Sequence, residues 1–120
     1  MIEEYRFGSV TIEGKTYDYD VEVRWTGEVL RWWRKESHVI DVEDVKRAAA
    51  ENPETLIIGT GESGVAQVTE GARKFIKDKG IRLIIDRTEP ATRTFNLRKE
   101  ESEEEEGEAE KVIGLFHLTC

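Results

Sequence analysis

Cysteine is nearly absent from this chain, since Cys120 is the single thiol and also the last residue. An internal disulfide is therefore impossible, and a zinc site would have to be built from scattered histidines and carboxylates. We expect no metal site, and nothing in the sequence indicates another cofactor.

Long apolar runs are also missing. No stretch approaches the ~20 apolar residues that cross a bilayer, and the start, MIEEYRFGSV, has neither the basic flank nor the apolar segment of a secretory signal. We expect a soluble, cytoplasmic protein without membrane insertion. The 120 residues match the common size of one domain, so a single domain over 1–120 is predicted.

A basic excess is lacking as well. The net charge is −8, but the segment 100–110, EESEEEEGEAE, holds eight of the 26 acidic residues and no base, which leaves 18 acidic against 18 basic residues elsewhere. A neutral body with one acidic run does not favour nucleic acid binding. We interpret 100–110 as a solvated, self-repelling loop insertion, with a site for a basic partner as the alternative.

Side-chain amides are scarce, because Gln67, Asn52 and Asn96 are the only three. Charged residues make up 37% of the chain. This bias is typical of proteins from thermophiles. It indicates habitat rather than activity.

The first third of the sequence predicts strands. Val10 and Ile12, and then Tyr17 to Val23, alternate around the turn residues Glu13 and Gly14, which predicts a hairpin with one buried face. The segment after Gly27 predicts a third short strand.

The hydrophobic period then lengthens to that of a helix. Asp41 is a suitable N-cap for a helix over 42–51, and a second helix follows the apolar run TLIIG and ends at Gly80. IRLIID and KVIGLFHL predict two more strands. Thr88 and Pro90 favour a helix over 88–99, although that segment also alternates as a strand would.

Residues 55–118 therefore predict a β-α-β-α-β unit. Right-handed crossovers give such a unit a largely parallel sheet. The fold class is α/β, with a mixed, largely parallel central sheet that the N-terminal β-hairpin extends or covers.

The sequence LIIGTGESG has the G-x-G-x-x-G spacing of a dinucleotide-binding turn, and Asp86 stands 22 residues after Gly64, near the position of a ribose-binding acid. A pyrophosphate needs a helix that begins inside the motif. Ser63 could cap such a helix, but Thr69 is an equally good cap, and a cap at Thr69 would leave no phosphate cradle. One β-α-β-α-β unit is also only half of a dinucleotide domain. We favour glycines that shape a loop.

Five segments, taken in order, resemble the adipogenesis-associated Mth-domain family over nearly the whole chain: GSVTIEGKTYDYDVEV, WWRKESHVI, NPETLIIGTG, KGIRLIIDRTEPATRTFN and KVIGLFHLTC. The resemblance implies a three-layer (β+α)/β/α fold and one Mth-like domain. It also implies an unassigned chemistry, and a binding role like that of the mitochondrial members, which resemble assembly factors for respiratory complex I. The insertion at 100–110 departs from the family pattern.

Trp32, Trp33, Arg34 and His38 form a candidate partner-binding cluster, because Trp and Arg dominate interface hot spots. Adjacent strand residues point to opposite faces, so one tryptophan should be buried and the other nearer the surface. His38 and His117 lack the spacing of a helical metal pair, and we interpret each as a structural or surface imidazole. We interpret Asp18, Asp20 and Glu22 as a solvated strand face.

Two functions remain. The first is a non-enzymatic binding or assembly module that uses the loop edge of the sheet. The alternative is a small-molecule or nucleotide-binding protein, or an enzyme, whose site is formed by Gly59, Thr60, Gly61, Asp86, Thr88 and Asn96. No catalytic residue is predicted, since Asp86 is the one evident base. The sequence indicates neither a partner nor an oligomeric state.

Overall fold

The structure is a computed structural model that describes residues 1–106 and 110–120. Strands and helices of the described residues follow one another in this order: β1 (Ile2–Arg6), β2 (Ser9–Ile12), β3 (Lys15–Tyr17), β4 (Val21–Arg24), β5 (Val29–Arg31), β6 (Val39–Ile40), α1 (Val42–Ala50), β7 (Thr55–Gly59), β8 (Gln67–Val68), α2 (Glu70–Asp78), β9 (Arg82–Asp86), α3 (Thr88–Glu106) and β10 (Val112–Phe116).

A five-stranded mixed sheet forms the centre of the protein, with the strand order β5-β4-β10-β7-β9. β7 pairs in parallel with both β10 and β9, while β4 is antiparallel to β10 and to β5. The predicted parallel β-α-β-α-β unit is confirmed. The N-terminal strands β4 and β5 extend it and make the sheet mixed.

The first three strands form a separate antiparallel sheet. β2 and β3 are joined at Glu13 and Gly14, whose φ angles of 49° and 78° are the left-handed pair that a tight hairpin turn needs. The predicted turn is therefore confirmed. The predicted strand from Tyr17 to Val23 was wrong in its continuity, because the chain leaves this sheet after Tyr17 and enters the five-stranded sheet at Val21.

Helices α1 and α2 begin after predicted caps, whereas the predicted cap Thr88 is the first residue of α3 itself. In α1 the Asp41 side chain caps the first turn and Asp44 returns the bond to the Asp41 backbone, while Thr69 caps α2 by accepting from the Ala72 amide. α3 confirms the helix over 88–99 and continues to Glu106. Residues 100–106 of the predicted acidic loop are thus helical, since Glu is a good helix former. Residues 107–109 lie outside the described residues.

Both faces of the five-stranded sheet are covered. Leu56 and Ile58 of β7 pack in one apolar cluster with α1 and α2, whereas Ile57 packs in a second cluster with α3 and the N-terminal sheet. Successive strand residues point to opposite faces. This two-sided burial explains why TLIIG and VIGLF are continuous apolar runs rather than alternating ones.

No helix of residues 1–106 and 110–120 is long and apolar enough to span a membrane.

Candidate functional site

The carboxyl ends of the three parallel strands meet at one edge of the sheet. β7, β9 and β10 end at Gly59, Asp86 and Phe116, and Gly59 is paired with both of the other two residues. Two segments at these strand ends are named here: the glycine loop, residues 59–64, and the C-terminal tail, residues 117–120. Ligands of α/β sheets bind at such an edge.

Thr88 joins the glycine loop to the C-terminal tail. Its buried Oγ1 accepts a hydrogen bond from the Gly61 amide at 2.8 Å and donates one to the His117 carbonyl at 2.5 Å. The Thr88 amide in turn donates to the Gly61 carbonyl at 3.1 Å. The Thr88 hydroxyl, a predicted ligand-binding group, is thus engaged within the protein.

Further backbone amides of the glycine loop also donate within the protein. Thr60 N bonds to the Asp86 carbonyl at 2.9 Å, Glu62 N to the Thr119 carbonyl at 2.7 Å, and Gly64 N to the Gly61 carbonyl at 3.3 Å. Helix α2 begins only after β8, with Thr69 as its cap. A pyrophosphate needs free amides at a helix N-terminus, and this loop commits these amides to its own chain.

Close packing explains two of the glycines. Gly61 has φ +106°, and a Cβ built there would lie 2.7 Å from the Thr119 carbonyl oxygen. A Cβ on Gly59 would lie 2.9 Å from Thr88 Oγ1 and 3.0 Å from the Phe116 ring. Such contacts are far shorter than van der Waals separation, so these positions admit only glycine because the tail and α3 press on the loop.

The predicted ligand-binding residues are only partly brought together. Gly59, Thr60, Gly61 and Thr88 are buried at the sheet edge, and Asp86 is exposed beside them, with Oδ1 accepting from the Arg87 amide. Asn96 lies elsewhere on α3. Its side chain accepts from the Ile2 amide at 2.9 Å and donates to the Ile2 carbonyl at 2.7 Å, so it fastens β1 to α3.

A buried cluster that the sequence did not predict lies at the same edge, made of Asp20, Arg34 and His117; we call it the Asp20 cluster. Asp20 Oδ2 accepts from Arg34 Nη1 at 2.5 Å and lies 2.8 Å from His117 Nδ1, and Oδ1 accepts from the Leu118 amide at 2.8 Å. The Arg34 and His117 side chains are each only 5% exposed. The cluster thereby links residues that precede β4, follow β5 and follow β10.

The hydrogen bonds of the Asp20 cluster determine its charges. Burial alone would raise the pKa of Asp20, but the hydrogen bonds from His117 and the Leu118 amide and the charge of Arg34 together lower it below its ordinary value. Asp20 is therefore a carboxylate that only accepts, and it bonds to His117 in the tautomer that carries the proton on Nδ1. Arg34 Nη2, 2.9 Å from the same nitrogen, then donates to the Ser37 carbonyl, also at 2.9 Å.

The two adjacent tryptophans have different environments. Trp32 is 4% exposed, and its indole N–H donates to the Asp44 carbonyl at 2.9 Å, while Trp33 is 71% exposed. The expectation of one buried and one surface ring is confirmed. The Arg34 guanidinium lies 4.8 Å from the Trp32 ring centre. Arg34 Nε is buried without a hydrogen-bond partner in the part of the chain that the structure describes.

A surface cleft of about 260 Å³ opens beside the Asp20 cluster and is lined by Tyr19, Asp20, Ser37 and residues 31–34; we call it the tryptophan cleft. The Arg31 guanidinium lies close to two aromatic rings, 4.7 Å from the centre of Tyr19 and 4.4 Å from that of Trp33. Of the four predicted partner-binding residues, Trp32, Trp33 and Arg34 line this cleft. His38 is exposed nearby, with its ring 6.3 Å from that of His117.

Sequence reasoning missed the pairing of Asp20 with His117, although a structural His117 was expected. Of the three carboxylates expected on a solvated face, Asp18 is exposed, and the expectation was wrong for Asp20 and Glu22. Asp20 is bound in the cluster, and Glu22 is 1% exposed, with ion pairs to Arg24 at 2.8 Å and to Arg47 at 3.0 Å. The arginines near these carboxylates could have indicated the pairing, because a buried carboxylate needs a cationic partner. Residues 1–106 and 110–120 contain no group of three or more metal-ligating side chains.

Comparison with solved structures supports the fold. A conserved hypothetical protein from Pyrococcus horikoshii OT3 is 27% identical, with a TM-score of 0.81, over 100% of this chain and 99% of that one. A protein designated MT938 is 25% identical, with a TM-score of 0.80, over 100% and 98%. An outer membrane protein from Bartonella henselae is 22% identical, with a TM-score of 0.76, over 99% and 94%. At that identity the last match shows the fold alone.

A family profile described as "Protein of unknown function (DUF498/DUF598)" matches residues 2–112, nearly the whole chain. The match includes β1 to α3, and thus the glycine loop, Asp20 and the residues that line the tryptophan cleft. The chain therefore belongs to the DUF498/DUF598 family.

Proposed function

We propose that this protein is a non-enzymatic binding module, and that it docks a protein partner through the tryptophan cleft. The observation that supports the proposal most strongly is the 71% exposure of the Trp33 side chain beside a preformed cleft. Trp and Arg dominate the binding energy of protein interfaces, and the cleft presents both. An exposed tryptophan on a rigid wall loses little conformational freedom on binding.

The rigidity of the cleft comes from the Asp20 cluster behind it. Asp20 holds Arg34 at 2.5 Å, and the Trp32 indole is fixed to the backbone of α1 through Asp44. Because these groups are already paired, the wall under Trp33 does not need to rearrange when a partner binds. Pre-organisation of this kind favours affinity.

A binding role also fits the groups that the cleft exposes. Asp20 uses both carboxylate oxygens in bonds to Arg34, His117 and Leu118, and His117 is buried, so neither is positioned to exchange a proton with a solvent-borne substrate. The exposed lining residues are Arg31, Trp33 and Ser37. The Trp33 ring and the Arg31 guanidinium both bind well, and neither of these two acts as a base or a nucleophile at neutral pH.

The glycine-loop alternative, a small-molecule or nucleotide site around Gly59 to Gly61, has less support. Amides of Thr60, Gly61 and Glu62 donate within the protein, and the C-terminal tail covers the loop. A ligand there would have to displace those bonds.

We further propose that residues 1–120 form one Mth-like domain with a three-layer (β+α)/β/α architecture. The two apolar clusters on opposite faces of the five-stranded sheet support this, because one contains α1 and α2 and the other contains α3 with the N-terminal sheet. The cytoplasmic location and the thermophilic habitat stay predictions from composition.

The proposal can be tested by affinity capture from a lysate of the source cells with three tagged baits. The baits are the wild type, Trp33→Ala, and Phe7→Ala as a control, since Phe7 is a similarly exposed aromatic (62%) outside the cleft lining. We expect at least one protein that wild type and Phe7→Ala recover and that Trp33→Ala recovers about tenfold less. The affinity for that protein, once purified, should show the same order.

Equal recovery by all three baits would contradict the proposal, and so would a loss with both variants. Thermal unfolding of each bait checks that the substitutions leave the fold intact, as expected for exposed side chains.

A further inference from the structure

We propose that the tryptophan cleft is a carboxylate-binding site, in which the edge of the Arg31 guanidinium pairs with one acidic side chain of the docking protein. The identity of the bearer as a protein rests on the function proposed above. The ligand class, a single carboxylate, rests on the cleft alone.

The environment of Arg31 determines which of its surfaces can bind. The guanidinium carbon lies 4.7 Å from the centre of the Tyr19 ring and 4.4 Å from that of the Trp33 ring. Aromatic rings therefore lie against part of the guanidinium, while its N–H groups form no hydrogen bond within residues 1–106 and 110–120. Those N–H groups form the planar fork that carboxylates fit with two parallel hydrogen bonds.

Arg31 also lacks an anion of its own. In residues 1–106 and 110–120 its guanidinium forms no ion pair within 4.0 Å, whereas Arg24, Arg34 and Arg47 each have a carboxylate partner. Arg31 is exposed at the end of β5, where its backbone carbonyl accepts from Arg47. The backbone is thus held while the charged group is available to a ligand.

The charge of the cleft fits one monoanion. Its charged lining groups are Asp20, Arg31 and Arg34, and Asp20 and Arg34 neutralise each other at 2.5 Å. One positive charge remains, on the surface of a protein whose net charge is −8. A carboxylate matches that charge, while a phosphate dianion would bring a second negative charge close to Asp20.

The size of the cleft favours a side chain over a cofactor. Its volume of about 260 Å³ lies below the ~300–1,000 Å³ of pockets that hold small molecules. A glutamate or aspartate side chain carried by a protein fits within such a space, with the apolar stem against Trp33.

The test is an NMR titration with acetyl-glutamate amide, its neutral isostere acetyl-glutamine amide, and inorganic phosphate. The reporters are the Arg31 Nε–H and Trp33 indole N–H signals of the wild type. Two variants are titrated alongside, Arg31→Met and Arg82→Met. Arg82 is an exposed arginine on β9, the other edge strand of the same sheet, so both variants change the net charge equally.

We expect saturable shifts with the glutamate probe, and binding that is about tenfold weaker with the glutamine probe and with phosphate. Arg31→Met should weaken glutamate binding about tenfold, as measured from the Trp33 indole N–H signal. Arg82→Met should leave glutamate binding unchanged. The proposal is overturned if the glutamate probe gives no shift, if glutamine or phosphate binds as well, or if both variants bind like the wild type.

The two proposals fail separately. If Trp33→Ala recovers every protein that wild type does while the glutamate probe still binds at Arg31, the docking function is wrong and the carboxylate site stands. If a partner depends on Trp33 but the probe does not bind, the docking function stands and the carboxylate site is wrong.

Discussion

The glycine loop and the tryptophan cleft lie at the same edge of one sheet and differ in how their polar groups are used. In the loop, the amides of Thr60, Gly61 and Glu62 all donate to other parts of the chain. In the cleft, the Arg31 guanidinium has no ion pair and Arg34 Nε has no partner among the described residues. The backbone donors named in the loop are used within the protein, whereas the cleft has donors that a ligand could use.

This difference shows that residue spacing and binding capacity are separate properties. The glycines have the spacing of a nucleotide-binding motif, yet Gly59 and Gly61 are required because Thr88, Phe116 and the C-terminal tail pack against them. A glycine permits close approach, and the approaching group can be the protein's own backbone as well as a phosphate. Unpaired donors are the better indication of a ligand site.

The largest expected effect is the loss of stability from Gly61→Ala. The new Cβ would lie within 2.7 Å of the Thr119 carbonyl oxygen, at a backbone φ of +106° that disfavours any side chain. Steric overlap and backbone strain together should lower the free energy of unfolding by about 3–5 kcal/mol. Urea denaturation monitored by tryptophan fluorescence measures this loss.

Gly80→Ala is the matched control. Gly80 has a positive φ of +75° too, but a Cβ there would meet no atom within 4 Å. It should lower the unfolding free energy by only about 1 kcal/mol. If both variants lost the same amount, the tail would not press on Gly61, and close packing would no longer explain the glycines of the loop.

The next effect concerns the wall of the cleft. Asp20→Asn removes the charge that neutralises the buried Arg34, and should lower the unfolding free energy at neutral pH by about 2 kcal/mol. Asp18→Asn, an exposed neighbour, should change it by less than about 0.5 kcal/mol. Equal effects of the two substitutions would show that the Asp20 cluster does not support the cleft.

The comparison of wild type with Asp20→Asn also predicts how stability depends on pH. The pKa of Asp20 is lowered in the folded state, so its contribution is complete above its ordinary pKa of 3.8 and is lost as the pH falls through the lower folded value. The stability difference between wild type and Asp20→Asn should therefore be constant near neutral pH and shrink below about pH 4. A difference that persisted in strong acid would contradict the charge assignment.

Much of the fold could be predicted because its signals are local. TLIIG and IRLIID are short apolar runs that suit strands in a covered sheet, and Asp41 and Thr69 are capping residues at the start of periodic segments. The path from β3 to β4 could not be predicted, because Tyr17, Tyr19 and Val21 keep one alternating pattern across the point where the chain changes sheets. An alternating pattern predicts which residues are buried, but it does not predict to which sheet the strand belongs.

The candidate site was predictable only in part, for a related reason. Trp32, Trp33 and Arg34 are adjacent in sequence and were identified together. Asp20 and His117 are 97 positions apart, and only the pairing of β4 with β10 brings them into contact. A cluster assembled by strand order leaves no spacing motif in the sequence.

The smallest expected effect is on the rim of the glycine loop, where the Tyr5 hydroxyl donates to the Leu118 carbonyl at 3.0 Å and lies 3.2 Å from Glu62. Burial, followed by the charge of Glu62 and its hydrogen bond, raises the pKa of Tyr5 from 10.0 to about 12. Folding favours the protonated phenol, so the contribution of Tyr5 to stability is present below pH 10 and is lost as the pH rises toward 12.

An ultraviolet titration should show a tyrosinate step near pH 12 in the wild type, and Tyr5→Phe should lack that step. Glu62→Gln should move the step to lower pH, because the nearby negative charge is removed. If the step survived in Tyr5→Phe, it would belong to another tyrosine, Tyr5 would not have the raised pKa of a covered phenol, and the contrast between a closed loop and an open cleft would weaken.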